Sequence, residues 1–279
     1  MKFTLSLGQM DVRFGDPGAN LATVTRMAEE AKGRSSDLVL FPELWSTGYD
    51  LSNASRYASE LDSGVFAEIS SLARRVGIHI LGSTLSVRGT KHCNTLTVFA
   101  PDGSLLADYS KIHLFRLMDE HKYLCAGDKI RTVDLPFGRS GLAICYDLRF
   151  PELFRAHALA GAVMCFLPAE WPKPRLSHWQ TLVRARAIEN QMFILACNRV
   201  GSDDYNVFPG HSMAVDPWGE ILAEGGDGEG LITLSLDLSK VQEARRTIPA
   251  LQDRRPDVYI ESSQEKAPQE RWEKRIFNK

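Results

Sequence analysis

Apolar positions in the first hundred residues switch between a period of two and a period near 3.6, the signatures of strands and amphipathic helices. Residues 2–10 read as a strand. Leu21, Val24, Ala28 and Ala31 then fall near one face of a helix that begins at about Asn20. A short apolar run over 37–41 predicts a buried strand. Phe66, Ile69, Leu72, Ala73 and Val76 mark a second helix, which Gly77 stops. Strands over 78–86 and 94–100 lead into a hairpin that turns at Pro101-Asp102-Gly103.

The second half repeats this plan. Residues 141–144 read as the end of a buried strand, and Pro151 opens a helix over 151–161. A strand over 162–168, a helix over 178–191 and a strand over 192–198 follow, then a hairpin at Pro217-Trp218-Gly219. Strands alternating with helices in two similar halves predict an α/β fold. Two stacked sheets with helices outside make it a four-layer α-β-β-α sandwich. No linker or low-complexity tract breaks the first 240 residues or so, so the expectation is one domain over 1–279. The charged segment 240–279, with RRPDVY in it, is expected to form a C-terminal arm packing on a partner subunit.

Composition narrows the function. A net charge of −2 offers no electrostatic case for nucleic acid or an anionic membrane surface. No apolar run approaches the ~18 residues of a membrane span, and the chain enters a strand pattern at once, with no leader-like segment. A soluble, cytoplasmic protein is expected. Five cysteines, without a C-x-x-C pair, argue against a disulfide framework and against a zinc site. Cys165 and Cys197 lie in strand-like apolar runs and are expected in the core. Cys93 and Cys125 lie in polar surroundings and read as incidental free thiols.

The remaining cysteine stands in GLAICYDLRFPEL (141–153), where an apolar run gives way to a polar turn. A thiol at such a junction is lifted from the core among backbone N–H groups. Cys145 is therefore a candidate nucleophile toward a carbonyl, with the N–H of Tyr146 a candidate oxyanion donor. Glu43 ends the buried run DLVLFPEL beside Phe41, Leu44 and Trp45, and is a candidate general base. Lys111 follows the strand end at Tyr109 and offers a compact cation to a developing oxyanion.

These three segments together resemble the nitrilase superfamily of carbon–nitrogen hydrolases. Its Glu–Lys–Cys triad occurs in that chain order, matched here by Glu43 in FPEL, Lys111 in KIHLF and Cys145 in CYDLRFPE. The resemblance extends through HWQTLVRARAIENQMFILACNRVG (178–201), GHSMAVDPWGEIL (210–222) and RRPDVY (254–259). It implies the same α-β-β-α fold and assembly into homodimers or higher homo-oligomers. It also implies a second glutamate that orients the lysine, matched by Glu120, with Asp119 beside it as the rival. Amide hydrolysis through a cysteine thioester, without metal or organic cofactor, is the implied chemistry.

The segment LPAEWPKPRLSHWQ (167–180) is expected to border the same pocket, with Trp171 as a wall and Arg175 as a bidentate carboxylate partner. Tyr49 and Tyr146 are candidate substrate-facing hydroxyls. HLFRLMDEH with AEWPKPR resembles the ω-amidase branch, which hydrolyses the terminal amide of 2-oxoglutaramate and 2-oxosuccinamate. The alternatives with the same triad are a deaminated-glutathione amidase and an N-carbamoyl amino acid hydrolase. A Cys–His hydrolase using His113, His178 or His211 is the mechanistic rival, and a non-catalytic scaffold of this fold the non-enzyme one.

Overall fold

Two six-stranded sheets form the centre of the computed structural model, which describes residues 2–263. The first half contributes β1 (Lys2–Gln9), β2 (Leu38–Leu40), β3 (His79–Arg88), β4 (Lys91–Phe99) and β5 (Leu105–Ser110). The second contributes β6 (Thr132–Leu135), β7 (Gly138–Leu142), β8 (Met164–Ala169) and β9 (Phe193–Asn198). A ribbon of β10 (Val200–Ser202) and β11 (Val207–Pro209) precedes β12 (Met213–Val215), β13 (Ile221–Glu224) and β14 (Gly230–Asp237). The sheet orders are β14-β1-β2-β3-β4-β5 and β13-β12-β9-β8-β7-β6.

Both sheets have a parallel centre, β1–β2–β3 in one and β7–β8–β9 in the other. Parallel neighbours need crossover connections. Helices Pro17–Gly33 and Gly64–Val76 supply them in the first sheet, Pro151–Leu159 and Leu176–Asn190 in the second. Strand periodicity then sorts the core. Leu5, Leu7, Leu38 and Leu40 share one buried cluster with Leu142, Met164, Phe166 and Leu195 of the other sheet. Val39, Phe41 and Ile80 form another with Val24, Ala28, Phe66 and Ile69 of the covering helices. Successive side chains pointing to opposite faces produce this division, and the result is the α-β-β-α sandwich.

The hairpin at residues 101–103 forms as the sequence predicts. Gly103 has φ +83°, and a Cβ there would stand 2.7 Å from the Ser70 carbonyl oxygen. Two features differ from the sequence reading. The strand β14, which that reading leaves unassigned, pairs antiparallel with the whole of β1. Its apolar positions follow a glycine-rich stretch, and long-range pairing rather than local pattern fixes them. Cys93 and Cys125, expected as free thiols, are joined in a disulfide across a sequence separation of 32. Cys165 and Cys197 are buried free thiols, as expected.

The start of the expected C-terminal arm packs on its own chain. Helix Ser239–Thr247 buries Val241 and Ala244, and Arg245 donates to the Ala162 carbonyl at 2.6 Å. A further helix spans Pro256–Ser263. The rest of the expected arm, 264–279, lies outside the described residues.

Candidate active site

The ends of β2, β5 and β7 converge where the two sheets meet. Phe41 and Pro42 carry the chain out of β2 and place Glu43 in full burial. Lys111 follows β5 directly, and its backbone N–H remains tied to the Asn94 carbonyl of β4 at 2.9 Å. Its Nζ donates to Glu43 Oε1 at 2.7 Å and to Glu120 Oε1 at 2.6 Å, all three side chains being fully buried.

The sequence sets Glu43 among apolar neighbours, but its carboxylate is met by donors. Besides Lys111, Oε1 accepts from Asn94 Nδ2 at 2.8 Å and Oε2 accepts from the backbone N–H of Glu170 at 3.0 Å. The adjacent acids at 119 and 120 are placed differently. Glu120 is buried, with Oε2 accepting from the Phe115 N–H at 2.6 Å. Asp119 is half exposed and paired with Lys122.

Cys145 begins the turn after β7 with φ +45°, a left-handed conformation that side chains rarely adopt. Asp147 holds this turn. Its Oδ2 accepts from the Ile144 N–H at 2.9 Å and from Tyr109 Oη at 2.8 Å. Its Oδ1 accepts from the His113 N–H at 3.1 Å. Tyr109 and His113 flank Lys111, so one fully buried aspartate ties the lysine segment to the cysteine turn. Strain at Cys145 persists because its surroundings over-determine it.

Burial and the Glu43 carboxylate push the Cys145 thiol well above its ordinary pKa, against the pull of Lys111. Burial opposes the charge on Lys111, yet Glu120 and Glu43 outweigh it and hold the ammonium well above its usual range. Burial, assisted by Glu43, raises the Glu120 carboxyl, while Lys111 pulls it back.

A small pocket opens over Cys145, lined by Phe115, Tyr146, Arg149, Glu170, Trp171, Pro172 and Arg175. Trp171 is buried, and its indole N–H donates to the Arg175 carbonyl at 2.8 Å. The Arg175 guanidinium stands 5.6 Å from the Phe115 ring centre. Tyr146 packs on Phe115 and Phe150. Tyr49 is placed differently from the sequence reading: its hydroxyl donates to Glu120 Oε1 at 2.7 Å instead of lining the pocket. None of His113, His178 and His211 lines this pocket. His113 bonds Asp147, and His211 bonds Glu224.

Sequence reasoning does not single out Asn94, Glu170, Arg149 or Arg199. Arg149 stands in the very motif that marks Cys145, and its guanidinium lies 4.8 Å from the Trp171 ring centre. Its position four residues beyond the cysteine in CYDLR was the available signal. Asn94 gave one too, as a lone amide inside the apolar alternation of β4. Glu170 and Arg199 form a fully buried pair at 3.1 Å, for which local pattern offers no cue.

Comparison with known proteins places this geometry. The carbon–nitrogen hydrolase family model matches residues 4–246. The chain is 42% identical to the 2-oxoglutaramate amidase of Bacillus subtilis, over 93% of this chain and 100% of that protein. It is 33% identical to omega-amidase NIT2 of Homo sapiens, over 92% and 96% of the two chains. Among solved structures, a CN-hydrolase superfamily protein of Xanthomonas campestris superposes with a TM-score of 0.86 at 32% identity, covering 91% of this chain and 98% of that one. The buried Glu–Lys–Glu cluster beside a strained cysteine thus sits in a shared fold, and the chain belongs to the carbon–nitrogen hydrolase family.

Proposed function

We propose that this protein is an ω-amidase, hydrolysing the terminal amide of a small 2-oxo acid such as 2-oxoglutaramate or 2-oxosuccinamate to ammonia and the acid. The observation that carries the reading is the fully buried Glu43–Lys111–Glu120 cluster beside Cys145, beneath a small pocket with Arg149 and Arg175 in its wall. Among the described residues neither arginine forms an ion pair with a carboxylate of the protein. Both are therefore available to a substrate carboxylate, which a guanidinium binds bidentately. The relatives named for 2-oxoglutaramate amidase and omega-amidase support the same substrate class.

The chemistry runs as follows. Glu43 takes the proton of the neutral Cys145 thiol as sulfur attacks the amide carbon. This transfer discharges Glu43, and Glu120 is the carboxylate that keeps Lys111 cationic through it. Lys111 bonds Glu43 and Glu120 closely but Tyr49 only at 3.5 Å. Its third N–H can therefore turn to the oxyanion, alongside the Tyr146 backbone N–H. Glu43 returns its proton to the departing nitrogen, and ammonia leaves a thioester on Cys145. Water activated by Glu43 then releases the acid. Thiol, base and oxyanion donors complete this sequence without a metal or organic cofactor.

A cytoplasmic homo-oligomer belongs to the same proposal. Among the described residues no helix is long and apolar enough to cross a membrane. Exposed Ile188 and Ile248 add apolar surface that a second copy would cover.

Ammonia release from 2-oxoglutaramate, with glutamine, asparagine and deaminated glutathione alongside and Cys145→Ala as the blank, tests the reading. Strong preference for 2-oxoglutaramate is expected. Preference for deaminated glutathione would keep the cysteine chemistry and replace the substrate.

A further inference from the structure

The Cys93–Cys125 disulfide lies directly behind the proposed catalytic cluster. Cys93 precedes Asn94 in β4, and alternation along the strand sends the two side chains to opposite faces. Asn94 donates to Glu43, and its carbonyl accepts from the Lys111 N–H. Cys125 follows the short helix Glu120–Tyr123, whose first residue holds Lys111. The covalent link therefore joins the strand behind Glu43 to the segment that delivers Glu120. Two backbone bonds brace the same junction, Cys125 N–H to the His92 carbonyl and Gly127 N–H to the Lys111 carbonyl, both at 2.8 Å.

The link is also reachable from outside. A surface cavity of about 230 Å³ has both cysteines in its wall, together with Arg88, Asp108, Asp128, Lys129 and Arg131. Cys93 is 1% exposed, whereas Cys125 is partly open. Of the two, Cys125 is therefore the residue more open to an incoming thiolate. In a reducing compartment a disulfide at such a place is a reversible bond rather than a permanent staple.

We propose that Cys93–Cys125 is a thiol–disulfide exchange site for a low-molecular-weight thiol, and that its oxidation state sets how firmly Glu120 is seated against Lys111. The effect on turnover rests on the proposed function; the exchange itself does not. A thiolate attacks Cys125 sulfur, the protein S–S bond breaks, and Cys93 leaves as a thiolate that takes a proton. A second thiol then attacks the mixed disulfide and releases Cys125. The protein disulfide is reduced by two electrons to two thiols, and two small thiols are oxidised to their disulfide. The backbone bonds remain, so reduction loosens the Glu120 segment without releasing it.

The experiment equilibrates the full chain in buffers of reduced and oxidised glutathione, followed by acid quenching, denaturation, alkylation and mass measurement. Three alkylated cysteines (Cys145, Cys165 and Cys197) are expected at the oxidised end and five at the reduced end. Five throughout would overturn the proposal. Hydrogen exchange of residues 116–124 reads the seating without substrate and is expected to rise on reduction. Unchanged exchange between the two states would overturn the coupling. Turnover of 2-oxoglutaramate should fall about three- to tenfold on reduction, with KM within about twofold. Cys93→Ser/Cys125→Ser should match the reduced form and ignore glutathione. A double variant that still responds to glutathione would assign the response to another cysteine and overturn the proposal. Absence of turnover in both states, with the exchange difference present, would instead count against the amidase reading alone.

Discussion

Lys111 and Arg199 are both fully buried cations held by buried carboxylates, yet they are built for different work. Arg199 donates to Glu170 at 3.1 Å, to the Val12 carbonyl at 2.6 Å and to the Val200 carbonyl at 3.3 Å, and lies 4.2 Å from the Phe208 ring centre. Its planar fork is spent on fixed backbone and an aromatic face. Lys111 bonds only side-chain oxygens, two of them on carboxylates. A compact ammonium on a flexible stem can redistribute its N–H groups; a guanidinium in a fork cannot. The two clusters touch through one bond, the Glu170 N–H on Glu43. Arg199 fixes the strand end that supplies this bond, so a rigid ion pair supports an adaptable one.

The sharpest test of this contrast removes the reacting groups themselves. Cys145→Ala should abolish turnover, and Glu43→Gln should lower kcat by about 100- to 10,000-fold, the usual contribution of a general base. Thermal melting should show both variants folded. Next in size, Arg199→Met should cost about 3–5 kcal/mol of stability above about pH 8, where an ionised Glu170 would be left buried without its partner. Denaturant unfolding reads that loss. Lys111→Met should do the reverse, lowering kcat by about 100- to 1,000-fold through the lost oxyanion donor. If Arg199→Met matched Lys111→Met in kinetics while keeping its stability, the division of labour would fail.

The smallest effect is a pH slope. Burial raises the Glu170 carboxyl from 4.5 to about 8, against the pull of Arg199. The folded chain therefore keeps a proton that the unfolded chain loses. Stability from this group is full below the unfolded value and is lost as pH rises toward about 8. The melting temperature should drop by a few degrees between pH 5 and pH 8, and Glu170→Gln should flatten that slope. An equal slope in the variant would assign it to another group.

Legibility in the sequence follows the range of the interactions. Glu43 and Cys145 each stand where a buried apolar run ends, and Lys111 directly follows the end of β5. The repeated strand–helix plan made the sandwich readable for the same reason. What binds these residues to one another comes from register and from contact between sheets. Asn94 reaches Glu43 because β3 and β4 pair in one register, and Glu170 reaches it across the sandwich. Arg199 after β9 carries no local cue, yet it is fully buried. Tyr49 reads as a substrate-facing hydroxyl, and only the fold shows its bond to Glu120.

The pairing of β14 with β1 also has a consequence for synthesis. During synthesis β1 gains β2 on one side early, but its other edge stays open until residues 230–237 emerge. At roughly 5–20 residues per second that wait exceeds ten seconds. An unpaired apolar edge invites association with other nascent chains. Ribosomes stalled before residue 230 should therefore carry an aggregation-prone first sheet, and a chaperone that covers β1 would be needed most while the second half is being made.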